Sequence, residues 1–260
     1  MNLTINIRNR RTYKEHAGLF MIKAAAWMVV ALFLSSLGDI AYHGAGTLSP
    51  SLLSTFPEKM MEEGGILPCI IGTAILSVGA MAVALPLGIA CAVWLNEYAK
   101  EGPLKKLITL AVANLAGVPS IVFGLFGSAF FVTVCGLGVS AIAGILTLAV
   151  LTLPIVINTV RETLSQIPNS WRESSLALGA SKTQTVLRTV LPAALPGILT
   201  GAILGLARAA GETSAIMFTA AVISTTNLPN SPFAAVMSLT SHISVLATTG
   251  LHPHKAVPVH

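Results

Sequence analysis

Charged side chains are scarce in this sequence. Asp, Glu, Lys and Arg make up 10% of its 260 residues, whereas soluble domains carry roughly a quarter. Hydrophobic residues make up 54%, and the mean hydropathy is +0.80. This number of charges is too small to cover the surface of a water-soluble protein. The composition therefore indicates a membrane protein. The net charge of +5 is spread over short polar segments, which gives no support to nucleic-acid binding.

Cysteine is also rare, with three residues in the chain. Cys69, Cys91 and Cys135 are odd in number and lie within or beside apolar runs. A disulfide framework is therefore disfavoured, and the sequence predicts that these residues fill small spaces between helices.

The sequence lacks the motifs of an enzyme or a nucleotide-binding protein. A phosphate-binding loop needs glycine immediately before its Lys-Ser/Thr, and the nearest stretch, "GASKT" at 179–183, has Ser181 there. His252 and His254 alternate near the C-terminus without a third ligand, so no metal site is predicted. An intramembrane enzyme is disfavoured because no zinc-protease helix motif or convincing Ser/His/Asp set is found. We expect a chain without catalytic residues, cofactor or metal.

Long apolar runs are what the sequence has instead. A helical span needs about 20 mostly apolar residues. Such runs lie at residues 19–40, 66–95, 107–134, 139–160 and 191–224. The first run follows a basic leader, as in a signal peptide, but it is too long for one and lacks a sharp cleavage site, so we interpret it as a retained span. The sequence therefore predicts an all-α, polytopic helical bundle.

Basic residues cluster in alternate polar segments. They precede the first predicted span, follow the second, and lie between the fourth and fifth, at 8–14, 100–106 and 161–188. The intervening segments carry almost none. By the positive-inside rule, the N-terminus, the loop that begins at Lys100 and the loop at 161–190 are predicted to be cytoplasmic.

The predicted fifth span combines small residues with charges. Gly197, Gly201 and Gly205 repeat every four residues, so another helix can approach this face closely. Arg208 and Glu212 follow near the same face and are predicted to point into the bundle, because charges in a span avoid lipid. Their spacing also permits a mutual ion pair. Two roles therefore stay open: a place on a transport path, or a buried pair that fixes the register of the helix.

The loop at 161–190 is polar although apolar runs flank it. Pro168 and Asn169-Ser170 indicate a helix start, with Ser170 as the cap. Gly179 permits a break, and a second helical stretch runs on to Pro192. Two short helices with scattered apolar residues favour a docking surface for another protein.

Residues of this loop follow the spacing of a known family. Glu173-Ser174-Ser175, then Gly179, and Leu191-Pro192 twelve residues later resemble the EAA loop of binding-protein-dependent ABC importer permeases, with serines where alanines are usual. The resemblance implies a helical bundle of the MetI-like permease type. It also implies that Glu173, Ser174, Ser175 and Gly179 belong to a coupling helix that binds a separate ATPase subunit.

Two further stretches narrow the resemblance. "NEYAKEGPLKKLITLAVANLAGVPSIVFGLFG" at 96–127 and "LGLARAAGET" at 204–213 are similar to the PstA family of phosphate permeases. The resemblance implies half of a two-permease channel in a bacterial inner membrane, with Arg208, Glu212 and Thr213 on the translocation pathway. The partners it implies are a PstC-like permease, a PstB-like ATPase dimer and a PstS-like periplasmic phosphate-binding protein. The alternatives are a permease for another oxyanion, such as molybdate or sulfate, and an ion-coupled secondary transporter.

The expected domain organisation combines these predictions. Residues 1–18 form a cytoplasmic tail, 19–256 the transmembrane permease domain, and 257–260 an atypical C-terminal end. PstA-like chains continue into a last apolar span, so we expect five spans with the family's last span missing. Residues 233–248 are too short to span, and we expect an external or re-entrant gate helix there.

Overall fold

The computed structural model describes residues 2–58, 63–222 and 228–249. These residues are predominantly helical, which confirms the predicted all-α fold class. The chain divides into two compact units, Met1–Pro50 and Ser51–His260. The predicted C-terminal end at 257–260, together with His252 and His254, lies outside the described residues.

Eleven α-helices lie within the described residues. They are α1 (Asn2–Gly44), α2 (Pro50–Ser54), α3 (Leu67–Val93), α4 (Pro103–Ala116), α5 (Ser120–Gly127), α6 (Ala141–Gln166), α7 (Asn169–Ala177), α8 (Lys182–Thr185), α9 (Leu191–Ala210), α10 (Ser214–Thr219) and α11 (Leu239–Thr249). Ala45–Thr47 is a 3-10 turn, and Trp94–Tyr98, Ser128–Val134 and Val186–Val190 are π-helical extensions. The strands β1 (Pro57–Glu58) and β2 (Glu63–Gly64) form a small antiparallel pair.

In the first unit, α1 contains the predicted first span. Its segment Gly18–Gly44 is long and apolar enough to cross a membrane, with a mean hydropathy of 1.9. Its large apolar side chains are exposed, as in a helix that faces lipid. The helix begins at Asn2, so the segment predicted as a tail continues the helix.

The core of the second unit is formed by α3, α6 and α9. The segments Leu67–Tyr98, Ala141–Gln166 and Lys182–Ala210 pass the length and apolarity criteria for spans. α6 packs against both other helices and buries the largest share of its length. Its buried face includes Leu148, Val156 and Leu164. The predicted second and fourth spans therefore correspond to α3 and α6.

The predicted third span, 107–134, corresponds to two helices with a sharp bend between them. The chain forms α4 and then α5 with its π-helical extension, and the two parts are bent by 103°. Pro119 has an extended conformation (φ −57°, ψ 140°) and lacks an amide hydrogen, and proline disfavours helix in the residue before it. Gly117 adds a poor helix former, so the helix ends at Ala116.

The predicted fifth span, 191–224, contains α9, a break and α10 rather than one continuous helix. One helical segment runs from Lys182 through the π-helical turn to Ala210, and the chain breaks at 211–213 before α10 begins. Gly211 follows the last helical residue, and glycine commonly ends helices. The remainder of the predicted span is α10 and irregular chain, and 223–227 lie outside the described residues.

The two ends of the second unit differ in chemistry. We call the end at which α3 and α6 terminate and α4 begins the basic end, because Lys105, Arg161 and Arg172 lie there. At the opposite end, the amide groups of Ser140 and Ala141 donate to the carbonyl groups of Thr219 and Ala234, which satisfies donors at the start of α6. The 11-residue α11 lies at this opposite end and is too short to be a candidate span.

Candidate functional site

The helix α7 forms an exposed surface at the basic end. Trp171 is 51% exposed and Leu178, directly after the helix, is 90% exposed. The helix begins at Asn169 after Pro168, so the predicted cap Ser170 lies inside the first turn, because Pro168 already ends the preceding segment. Large apolar side chains in water are costly. A partner protein would relieve that cost.

Gly179 ends the exposed helix in a conformation that favours glycine. Its φ is +85°, in the left-handed region, and its amide donates to the carbonyl of Leu176 at 2.9 Å. The chain then turns into α8, where Ser181 and Gln184 form a reciprocal capping box. The turn therefore fixes the direction in which α7 joins the segment that becomes α9.

The other predicted coupling residues lie on different sides of α7. Glu173 and Ser174 are exposed. Ser175 is half-buried, and its hydroxyl lies 2.9 Å from the hydroxyl oxygen of Thr185 at the end of α8. The first two residues are thus available to a partner, while Ser175 holds α7 against α8.

An ion pair that the sequence did not reveal links α7 to the end of α3. Arg172 Nη2 lies 2.7 Å from Glu97 Oε1, and Arg172 Nε lies 3.2 and 3.1 Å from the two carboxylate oxygens of Glu97. The side chains are 16% and 7% exposed. The pair joins residues 75 positions apart, and each charge stands at the edge of an apolar run. A charge in that position needs a partner, which is the signal that could have indicated the pair.

Arg172 also binds the end of α6. Its guanidinium donates to the carbonyl groups of Ile167 at 2.8 Å and Leu164 at 3.0 Å. The last carbonyls of a helix have no partner within the helix, so a guanidinium there satisfies them. Arg172 therefore contacts three elements at once: its own helix α7, the end of α3 and the end of α6.

A second link joins the end of α3 to α8. The ammonium of Lys182 lies 5.2 Å from the centroid of the Tyr98 ring, within the range of a cation–π contact. The Tyr98 hydroxyl lies 3.5 Å from the hydroxyl oxygen of Thr183, at the outer limit of a hydrogen bond. The loop 161–190 is thus attached to α3 on both sides of the turn at Gly179.

The predicted pathway residues lie at the break after α9. Arg208 Nη2 is 3.3 Å from Glu212 Oε2, so the two form the ion pair that their spacing permits. The Glu212 side chain is 3% exposed and the Arg208 side chain is 45% exposed. The Glu212 carboxylate is thus buried within the second unit, whereas the Arg208 side chain, near the end of α9, is partly exposed in the single chain.

The break is stabilised by hydrogen bonds to Glu212. The hydroxyl of Thr240 in α11 donates to the carbonyl oxygen of Glu212 at 2.7 Å, and the amide of Ala215 approaches Glu212 Oε1 at 3.4 Å. Thr213 is half-buried and directly precedes α10. The segment that carries Arg208, Glu212 and Thr213 is thereby connected to α11.

The three predicted packing glycines line the contacts of α9 with α6 and α3. A Cβ atom at Gly197 would overlap the side chain of Thr163. One at Gly201 would lie 3.4 Å from Thr159 Cβ, and one at Gly205 would lie 2.8 Å from Met81 Sδ. Absence of a side chain at Gly197 and Gly205 thus allows the close approach of these helices.

Comparison with known proteins assigns the family. Residues 84–248 match the model of a family described as "Binding-protein-dependent transport system inner membrane component". The match covers more than half of the chain. The chain belongs to this family. It is therefore a membrane transport subunit, and permeases of this kind work with an ATPase and a substrate-binding protein.

Named relatives agree with a permease. The chain is 31% identical over 213 residues to "Probable ABC transporter permease protein YqgI" of Bacillus subtilis, which covers 82% of this chain and 72% of the relative. It is 37% identical over 191 residues to "Phosphate transport system permease protein PstA 1" of Mycobacterium tuberculosis, covering 74% of this chain and 60% of the relative. The chain is also similar to a chain in a solved structure of the MetNI methionine ABC transporter. The match has 25% identity and a TM-score of 0.48, and it covers 56% of this chain and 68% of the MetNI chain. The family match and the PstA relative confirm the sequence-based resemblance to PstA-type ABC permeases.

Proposed function

We propose that this permease is a subunit of an ATP-driven importer of inorganic phosphate. Family membership supports the transport role, and relatives named as phosphate permeases support the substrate. The observation that carries the coupling role is the exposed face of α7, which is held by Arg172 to the ends of α3 and α6. A surface that is both free for a partner and attached to the spans can transmit movement.

The proposed partner of α7 is a PstB-like ATPase. Glu173, Ser174, Trp171 and Leu178 offer a mixed polar and apolar surface for it. Closure of the ATPase dimer on ATP would draw the α7 helices of two permease subunits together and open the bundle on the far side. We place α7 and the N-terminus in the cytoplasm on the distribution of basic residues.

The proposed translocation pathway passes Arg208, Glu212 and Thr213. The guanidinium of Arg208 is partly exposed, and a charge within a span must face water, protein or a partner rather than lipid. Its charge would lower the electrostatic barrier for an anion in the low-dielectric bilayer. Glu212 would keep the anion from binding so tightly that release fails, because transport needs favourable but weak binding.

The remaining proposed partners complete the importer. A PstC-like permease would supply the second half of the channel in a bacterial inner membrane. A PstS-like binding protein would deliver phosphate to this channel from the periplasm.

Transport in proteoliposomes tests this function. The chain is co-purified with the three partner subunits encoded in its own genome, and uptake of labelled phosphate, sulfate and molybdate is measured with and without ATP in the vesicle lumen that holds the ATPase. We expect uptake of phosphate that requires both ATP and the binding protein. Uptake of sulfate or molybdate in preference to phosphate would overturn the substrate. Uptake without ATP would instead indicate a secondary transporter.

A further inference from the structure

We propose that Arg172 and Glu97 form the joint that transmits movement of α7 to the spans. In this role they are positioning residues, and Glu173 on the exposed side of the same helix contacts the ATPase. The inference rests on the proposed function, since it assumes that an ATPase moves α7. It adds the route by which that movement enters the bundle.

Every N–H donor of the Arg172 guanidinium has an acceptor. An arginine has five N–H donors. Nε–H is shared between the two carboxylate oxygens of Glu97, Nη2 donates to Glu97 and to the carbonyl of Leu164, and Nη1 donates to the carbonyl of Ile167 and approaches Asn169 Oδ1 at 3.4 Å. A planar fork held at every position cannot rotate without losing several bonds. A lysine, with three donors on one nitrogen, could not make this set.

These contacts lie at the ends of two spans. Glu97 lies in the π-helical extension of α3, and Leu164 and Ile167 lie at the end of α6. The side chains of Glu97 and Arg172 are largely buried, so the pair is poorly screened by water. Movement of α7 therefore carries the ends of two spans with it.

Further along, these two spans, α3 and α6, both contact α9. On α6, Thr163 and Thr159 lie against Gly197 and Gly201 of α9, and Met81 of α3 lies against Gly205. A shift of α3 and α6 thus acts on α9, whose last turn carries Arg208. Contact alone does not establish coupling, so the test must measure coupling itself.

The experiment uses the complete importer in proteoliposomes and measures phosphate imported per ATP hydrolysed. Glu97→Gln keeps an acceptor and removes the charge, and Arg172→Lys keeps the charge and removes the fork. The matched control is Glu101→Gln, which removes an exposed carboxylate that pairs with Lys105 at 2.7 Å at the same end of the bundle. Glu173→Gln serves as the variant of the partner surface.

We expect both joint variants to assemble with the ATPase and to hydrolyse ATP. Phosphate imported per ATP should fall about tenfold, within the range of known coupling free energies. The double variant should be no worse than the more severe single variant, because the two residues act as one unit. Glu101→Gln should match the wild type, and Glu173→Gln should weaken association with the ATPase.

The inference is overturned if Glu97→Gln and Arg172→Lys import as much phosphate per ATP as the wild type, or if their only defect is loss of ATPase binding. If Glu97→Gln does not insert, Glu97→Asp is measured, and a wild-type ratio for it would also contradict the joint. A wild-type importer that hydrolyses ATP but carries another anion would overturn the phosphate assignment alone. In that case the variants are compared by the amount of that anion imported per ATP hydrolysed.

Discussion

Replacing Gly197 by alanine should weaken the contact between α9 and α6. The new methyl group would overlap Thr163, whose hydroxyl is held by a hydrogen bond of 2.9 Å to the carbonyl oxygen of Thr159. Overpacking costs about 1–3 kcal/mol, whereas Gly→Ala in a helix interior gains at most about 1 kcal/mol. The difference between this cost and this gain is the expected change. We therefore expect the free energy of unfolding to fall by about 1 kcal/mol, and by about 2 kcal/mol at most.

The other two glycines of α9 provide graded controls. A Cβ atom at Gly201 would lie 3.4 Å from Thr159 Cβ, close to ordinary contact, so Gly201→Ala should be neutral or stabilising by up to about 1 kcal/mol. At Gly205 the nearest atom is Met81 Sδ at 2.8 Å, and this flexible side chain can move. Gly205→Ala should therefore cost less than Gly197→Ala.

The assay is unfolding of the purified permease in mixed micelles with increasing sodium dodecyl sulfate, followed by circular dichroism. Adding Thr163→Ala to Gly197→Ala should recover part of the loss, because the Cβ atom of residue 163 would still lie 2.6 Å from the new methyl group. The reasoning is refuted if Gly197→Ala is as stable as the wild type, or if Gly201→Ala is the least stable of the three.

Further predictions concern the pathway, the partner surface and the far end of the bundle. Arg208→Gln should reduce phosphate uptake in proteoliposomes about tenfold, equivalent to about 1.4 kcal/mol, while assembly and basal ATP hydrolysis persist; wild-type uptake would contradict the pathway role. Leu178→Asp should leave insertion unchanged and weaken binding of the ATPase about tenfold in a pull-down titration, because a side chain that is 90% exposed matters only through a partner. Burial lowers the pKa of His242, so the folded state prefers the neutral ring. As pH falls below about 6.5, the unfolded chain takes up a proton on this histidine before the folded chain does, so the contribution of His242 to stability is lost. Above that pH the contribution is fully present. The midpoint temperature of thermal unfolding should therefore decrease when the pH is lowered from 7.5 to 5.0, and the decrease should be smaller in His242→Gln. An equal decrease in both proteins would contradict this role of His242.

The approximate positions of the long helices could be predicted from the sequence, because a run of about 20 apolar residues favours a helix that can cross a bilayer. The breaks could not be placed as well. Gly117 and Pro119 are visible in the sequence, but the angle of 103° between α4 and α5 depends on what each helix packs against. Gly211 is also visible in the sequence as a possible helix end. It does not indicate that Thr240, from a distant segment, donates a hydrogen bond to the carbonyl oxygen of Glu212.

Local motifs had a similar limit. Ser170 and Ser181 each stand three residues before a Glu or Gln, the pattern of a capping box. Only Ser181 forms one, because α7 is capped at Pro168 and therefore begins two residues earlier than a cap at Ser170 would place it. The Arg172–Glu97 pair depends on the tertiary fold, which brings the ends of α3 and α6 beside α7, and no spacing rule predicts it. The orientation of the chain across the membrane stays a prediction from its basic residues.

The central claim is that the exposed face of α7 contacts the ATPase. A photo-crosslinking amino acid is placed at position 178 in the complete importer, with position 199 on the exposed side of α9 as the control, and the products are identified by mass spectrometry. The account predicts a crosslink from position 178 to the ATPase subunit and none from position 199. A complex that transports phosphate yet forms no crosslink between position 178 and the ATPase would contradict it.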